Sequence, residues 1–392
     1  MKVDTEYHSR MLIDSGFWAF YAFETARDML IQRKPSSLKI LTNADLLQLS
    51  RLFPEVCFRN GHQEHAHLQT GGRSVMFYVS DALPEKKREA SNHSELKRQA
   101  LRKATSHTPF LINAFFYDLE DDLFYDPLDA YSLLKRGQIR TRLSPEAVER
   151  EFPLLALKTA KVYSETGFEV DGELDEYLKQ KESLASYERM SPAIAQDFVE
   201  TLTSAHAYRS IRMLDEWGIV DTVFPELAAL KSVDQDKEHH PEGNGFLHTL
   251  NCLNCVKKPK RNLMMAILLH DTGKAVTKEN GRTSLPFPDH SSASKVIAKK
   301  VLNRFSFSRE DTEEVLFLVR YHMLLGGLDC LPEGRLKKFF RSPYFPNLLD
   351  LYRADIESGY HNTENYYRAA RMYREYLRKE RYLKNGTYAS HG

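Results

Sequence analysis

The segment "AILLHDTGK", residues 266–274, constrains this chain more than any other stretch. An apolar run leads straight into adjacent His270 and Asp271, then a turn glycine and Lys274. An imidazole and a carboxylate at the end of a buried segment are costly to desolvate unless something binds them. The fold must therefore supply a partner there, and a metal ion is the natural one. Other potential ligands follow in order: His248 in "GFLHTLNCLNCV", His290 closing "LPFPDH", His322 in "VLFLVRYHML" and Asp355 in "LLDLYRADIESG". Most of these stretches have helical periodicity, so the ligands would project from successive rigid helices. Mixed imidazole and carboxylate donors suit a divalent ion such as Mn, Ni, Mg, Co or Fe. His248, His270, Asp271 and Asp355 suffice for one ion. With His290 and His322 added and Asp271 as bridge, a second ion is accommodated. Two ions can clamp a phosphoryl group and activate water. Lys274 is placed to neutralise charge on phosphate oxygens. Asp271 and Lys274 are thus the expected catalytic residues.

With 392 residues the chain has room for two or three domains. Its 42% hydrophobic and 28% charged residues describe a globular protein, and a net charge of +1 demands no nucleic-acid partner by itself. The early apolar run "GFWAFYAF" is too short to span a bilayer and is followed by no signal-cleavage pattern. A cytoplasmic setting without membrane contact is expected. Four cysteines give no disulfide framework; Cys252 and Cys255, a lone C-x-x-C, read as small core-facing residues rather than a zinc knuckle or redox pair.

Composition divides the chain into a head (1–145), a helical neck (146–232), the metal-bearing region (233–360) and a basic tail (361–392). The head mixes helices with strand-like runs such as "LKILT" (38–42) and "SVMFYVS" (74–80). Residues 80–107 are highly charged and predict an exposed loop leading into a solvated helix. Ser144 and Pro145 open a helix expected to run to Gly167, and residues 191–218 repeat that grammar. The tail interleaves tyrosines with Arg and Lys over 366–384. It predicts an amphipathic helix that docks its rings, a stacking strip for RNA being the other reading.

The H…HD…H…H…D series resembles the HD superfamily of metal-dependent phosphohydrolases. Together with "FPELAALKSVDQDKEHHPEGNGFLHTL" (224–250) and "PFPDHSSASKVIAKKVLNRFSFS" (286–308), it is similar to the HD-bearing bacterial tRNA nucleotidyltransferases (CCA-adding enzymes) and poly(A) polymerases. That resemblance covers roughly residues 190–360. It implies an α+β chain: a small mixed α/β nucleotidyltransferase-like head, then an all-α neck and an all-α HD domain. It also implies a nucleotide or tRNA-like RNA partner, with Arg209, Arg212 and the basic tail as candidate RNA contacts.

The head departs from the family pattern where that pattern carries chemistry. The family's small GG or GS pair before V-R-D is Phe23-Glu24 here, although Arg27 and Asp28 remain. A bulky Phe and an anionic Glu are expected to block phosphate from the turn's backbone. The metal-binding D-x-D falls on Ser37 and Lys39, and the third acid on Ser74. His107, Thr108 and Pro109 replace Arg, Arg and Asp of a later motif, while Glu151, Phe152, Leu155 and Lys158 stand for the base-reading motif. Glu120, Asp121 and Asp122 form the nearest acidic cluster, read as a solvated turn. The expected function is therefore a metal-dependent phosphohydrolase or phosphodiesterase acting on a nucleotide or RNA 3′-end phosphate, behind an inactive head. The alternatives are a non-enzymatic RNA-binding module and an active CCA-adding enzyme or poly(A) polymerase.

Overall fold

A computed structural model describes residues 3–58, 65–70, 73–83, 93–180, 187, 191–234, 243–277, 287, 289–359 and 363–388. The "HHPEG" word (239–243) lies outside these except for Gly243. The chain divides into two compact units: Met1–Pro153 with Phe168–Asp175, and Leu154–Gly167 with Glu176–Gly392.

The first unit is built on a seven-stranded mixed sheet, formed by β1 (Phe20–Ala22), β2 (Leu38–Thr42), β3 (Cys57–Phe58), β4 (His65–Thr70), β5 (Arg73–Val79), β6 (Phe116–Asp118) and β7 (Leu123–Tyr125). The order is β3-β4-β5-β2-β1-β6-β7, with β2 and β5 parallel and the other pairs antiparallel. Alternate residues of each strand serve opposite faces. Leu38, Ile40, Val75 and Phe77 pack with Leu12 and Leu49 from the helices Val3–Asp14 and Leu46–Leu52. Phe20, Ala22, Leu41 and Tyr78 pack with Ala100, Leu101 and Ala104 from the helix His93–Ala104.

Residues 84–92, in the loop expected before that last helix, lie outside the described residues. The helix is solvated on one face, as expected, but its other face is not. Its Ala100, Leu101 and Ala104 are buried, and so is Lys97, at 6% exposure. The Lys97 ammonium donates to Asp118 Oδ2 at 2.7 Å and to Asp121 Oδ2 at 2.8 Å. It also lies 4.6 Å from the centre of the Trp18 ring. A cation with both a carboxylate and an aromatic face for partners is held inside rather than solvated.

The long helix expected from Ser144 to Gly167 is two helices, Pro145–Glu151 and Leu155–Thr166. Pro153 has no N–H to continue the first, and Leu154 turns the chain at φ 70°. Gly167 then ends the second in the left-handed conformation, φ 71°, as expected. The stretch from Ser191 likewise breaks into Pro192–Thr201 and Ala207–Glu216. Tyr373 and Tyr376 of the terminal helix Glu364–Tyr388 pack on Phe340 with ring centres 5.5 and 5.4 Å apart, so these tyrosines dock. Among the described residues no helix is long and apolar enough to cross a membrane.

Candidate metal centre

The helix Gly245–Asn254 begins where the Asn244 side chain accepts from Leu247 N–H at 2.9 Å. It carries His248 and Cys252 one turn apart on one face. The helix Arg261–Leu269 is apolar and buried from Leu263 onward and delivers His270 and Asp271 at its end. Gly273 then lets the helix His290–Arg304 approach: a Cβ there would lie 2.2 Å from His290 O and 2.6 Å from Ser294 N. Its N–H donates to Ser294 Oγ at 2.8 Å. His322 follows the helix Arg309–Tyr321, and Asp355 and Ser358 belong to the helix Phe345–Ser358.

One local device aims three of the histidines. His270, His290 and His322 each donate Nδ1–H to the carbonyl three residues back, Ile267, Phe287 and Val319, at 2.7, 3.1 and 2.8 Å. His248 Nδ1 lies 3.2 Å from Ser358 Oγ. Fixing Nδ1 leaves Nε2 as the inward-facing donor atom, the usual arrangement of a metal-binding imidazole.

The donor atoms gather in two groups, each within 4.8 Å: His248, Cys252, His270 and Asp355, and Asp271, His290 and His322. Asp271 joins them. Its Oδ2 is 3.3 Å from His270 Nε2 and 3.9 Å from His248 Nε2, and its Oδ1 is 3.4 Å from His290 Nε2 and 3.7 Å from His322 Nε2. His248 Nε2 and Asp355 Oδ1 are 3.0 Å apart. Ligands held about 2.0–2.3 Å from one ion sit roughly 3–4 Å from each other, so these spacings fit. Two further observations agree. His270 Nε2 is buried and makes no hydrogen bond of its own. His290 Nε2 and His322 Nε2 face each other at 3.2 Å, although both rings already spend their Nδ1 on carbonyls.

The two carboxylates set the charge of this cluster. Burial works against protonation of His270, yet Asp271 and Asp355 raise it to about 9. Burial also opposes ionisation of Asp355 and Asp271, but neighbouring imidazoles hold both well below the usual carboxylate range, with Lys274 helping Asp271. His322, by contrast, is pushed down to about 4 by burial and by the charge on His270.

All six residues expected as ligands are thus brought together. Lys274 joins them differently from the expectation: its ammonium donates to Asp271 Oδ2 at 2.6 Å. Arg209 and Arg212 stay out, exposed on the helix Ala207–Glu216, with Arg212 paired to Glu216 at 3.2 Å. Cys252 was not among the expected ligands. It is core-facing, as expected, but its sulfur belongs to the first donor group, and its place four residues after His248 was the available signal. Cys255 stands apart from both groups at the helix end.

In the head, the turn before the helix Glu24–Leu30 has an unusual backbone. Phe23 has φ 56° and ψ −127°, a conformation that glycine adopts freely and other residues rarely do. Its ring is buried against Tyr78 and Phe116, with centres 4.8 and 5.6 Å away. Glu24 and Lys39 form an ion pair, so the acid that replaced a small residue meets the lysine that replaced an acid. Ser74 Oγ is 2.8 Å from His67 Nε2. Arg27 bonds Asp28 Oδ1 at 2.7 Å and Asn113 Oδ1 at 3.0 Å, tying the turn to the "INA" segment.

Burial pushes the Glu24 carboxyl up, but Lys39 and Arg27 outweigh it and hold it at about 2, against an ordinary 4.5. A lowered carboxyl pKa contributes stability above the unfolded value that is lost as pH falls through the folded one. Between about pH 4.5 and 2 the chain is therefore expected to lose on the order of 1–2 kcal/mol at this group, partly exposed as it is. Denaturant melts of Glu24→Gln across that range should lack this component.

The family model for the HD domain matches residues 246–357. The chain is 28% identical over 246 residues to the Multifunctional CCA protein of Halorhodospira halophila, covering 62% of this chain and 57% of that one. It is 22% identical over 232 residues to Poly(A) polymerase I of Haemophilus influenzae, covering 56% and 51%. The chain thus spans about half the length of the curated relatives it matches. Among solved structures, the Bacillus stearothermophilus CCA-adding enzyme in complex with CTP matches with TM-score 0.61 at 16% identity, over 95% of this chain and 82% of that one. The Thermotoga maritima CCA-adding enzyme complexed with tRNA matches with TM-score 0.53 at 14% identity, over 94% and 80%. These likenesses show the α+β fold. The relatives are named for nucleotide addition, which overturns the expected phosphohydrolase or phosphodiesterase as the function of the chain. Residues 246–357 form an HD domain, and the chain that carries it resembles the bacterial CCA-adding enzymes and poly(A) polymerases in both sequence and fold.

Proposed function

We propose that the chain is a nucleotidyl-transferring enzyme of the cytoplasm, acting at the 3′ end of tRNA-like RNA with a nucleotide as its second substrate. The carrying observation is the likeness to the CCA proteins and Poly(A) polymerase I, which covers more than half of this chain. The retained mixed sheet and the Arg27–Asp28–Asn113 tie support it. Glu24, Asp28 and Asp118 are three acids on this frame. Each is ion-paired, with Lys39, Arg27 and Lys97 respectively. Exposed Arg209 and Arg212 are proposed as phosphate contacts for the RNA.

The proposed ligands of the metal centre are His248, His270, Asp271 and Asp355 for one divalent ion, with Asp271 shared by a second at His290 and His322. Mn, Ni, Mg, Co or Fe all suit the imidazole and carboxylate donors. When bound, the ions supply fixed positive charge beside Lys274. The chain's own part is positional: the Nδ1 bonds orient the rings, and Lys274 holds Asp271.

One observation favours a second reading, an RNA-binding module without chemistry. Ser37 and Lys39 occupy the D-x-D positions, and the Lys39 ammonium neutralises Glu24 where metal would be expected. The test is incorporation of labelled CTP and ATP into tRNA trimmed at its 3′ end. Divalent-ion-dependent incorporation supports transfer. Binding that weakens steeply with salt, with no label added, contradicts transfer and favours the second reading.

A further inference from the structure

We propose that Cys252 is a thiolate ligand of the first metal group, joining His248, His270, Asp271 and Asp355 in a donor set that selects thiophilic divalent ions over Mg²⁺. The inference rests on the metal centre proposed above and adds a residue to it. Cys252 is 1% exposed and one helical turn from His248. Its Sγ lies 3.6 Å from His248 Nε2 and, within the group, no more than 4.8 Å from the donor atoms of His270 and Asp355. Zn–S of about 2.3 Å and Zn–N of about 2.0–2.1 Å set neighbouring sulfur and nitrogen ligands roughly 3–4 Å apart, which brackets the spacing found.

A second observation points to the same place. His270 Nε2, on a residue 1% exposed, is aimed into this group and makes no hydrogen bond. Ser358 completes the surroundings. Its Oγ donates to Asp355 O at 2.6 Å, and lies 3.2 Å from both His248 Nδ1 and Cys252 Sγ. One hydroxyl therefore lies against two donor side chains and bonds the helix that carries the third. On ligation the S–H bond breaks heterolytically: the electron pair goes to the sulfur–metal bond and the proton to buffer. No oxidant or reductant is involved. A thiolate in the set favours Zn²⁺, Co²⁺ or Fe²⁺ over Mg²⁺ and Mn²⁺, which prefer oxygen donors.

The test loads the full chain with Co²⁺ and reads its absorption. A bound ion gives visible ligand-field bands, and a cobalt–thiolate bond adds a near-ultraviolet charge-transfer band. The expected result is both signals in the native chain and in Cys255→Ser. Cys252→Ser and Cys252→Val should keep the visible bands and lose the ultraviolet one, and their Zn²⁺ affinity should fall by at least about tenfold while Mn²⁺ affinity changes little. Visible bands without the ultraviolet band in the native chain overturn the role of Cys252 and leave the metal centre standing. No cobalt bound by the native chain overturns both.

Discussion

Gly273→Ala is expected to destabilise the second unit by about 3 kcal/mol, the upper end of what overpacking costs when the obstruction is backbone. The added Cβ would meet His290 O at 2.2 Å and Ser294 N at 2.6 Å, and neither can rotate away. Relief requires the first turn of the helix His290–Arg304 to move. That motion carries His290 away from Asp271 Oδ1 and His322 Nε2, now 3.4 and 3.2 Å distant. The variant should therefore also lose any ion held by Asp271, His290 and His322 while keeping one at the first group. Ser294→Ala is the control: it removes only the bond from Gly273 N–H and should cost about 1 kcal/mol. Urea melts with metal analysis check both. A Gly273→Ala protein as stable as Ser294→Ala would rule out this close approach.

Lys97→Ala is expected to cost about 3–5 kcal/mol in the first unit, because it leaves Asp118 buried and uncompensated. Asp118 is 1% exposed and receives the ammonium at 2.7 Å. Lys97→Met retains the apolar stem and isolates the charge effect. The double variant Lys97→Met with Asp118→Asn should recover most of the loss, since the amide oxygen can still accept from Glu120 N–H, now 3.0 Å from Asp118 Oδ1. Denaturant midpoints of the three proteins decide it. Equal losses in single and double variants would mean that packing, not charge, holds this helix.

The six candidate ligands were legible as a set because each lies at or beside a helix end or on a helix face, and a helical period is readable without tertiary contacts. Cys252 escaped because a buried cysteine is ordinarily core, and only its distance to His248 and Ser358 separates the two cases. The strands β2 and β5 were evident as apolar runs. Lys97 was not, since a charge run predicts solvent and only the sheet's Asp118 and Trp18 supply a buried partner. The pairing of Glu24 with Lys39 needed the fold: each substitution alone looks like a loss, and together they neutralise one another. The functional expectation erred by resting on "LLHDTGK", the most specific word in the chain. That word marks a domain at 246–357, whereas the likeness to Poly(A) polymerase I and the CCA protein runs over 232 and 246 residues.

Metal content tests most directly the claim that His248, His270, Asp271, Asp355, His290 and His322 converge to hold divalent ions. The chain should be purified without chelator and measured by elemental mass spectrometry beside Asp271→Ala. Asp271 faces both groups, so the account predicts one or two ions per native chain and a loss at both groups in the variant. A native chain without stoichiometric metal, or a variant that retains all of it, would contradict the account.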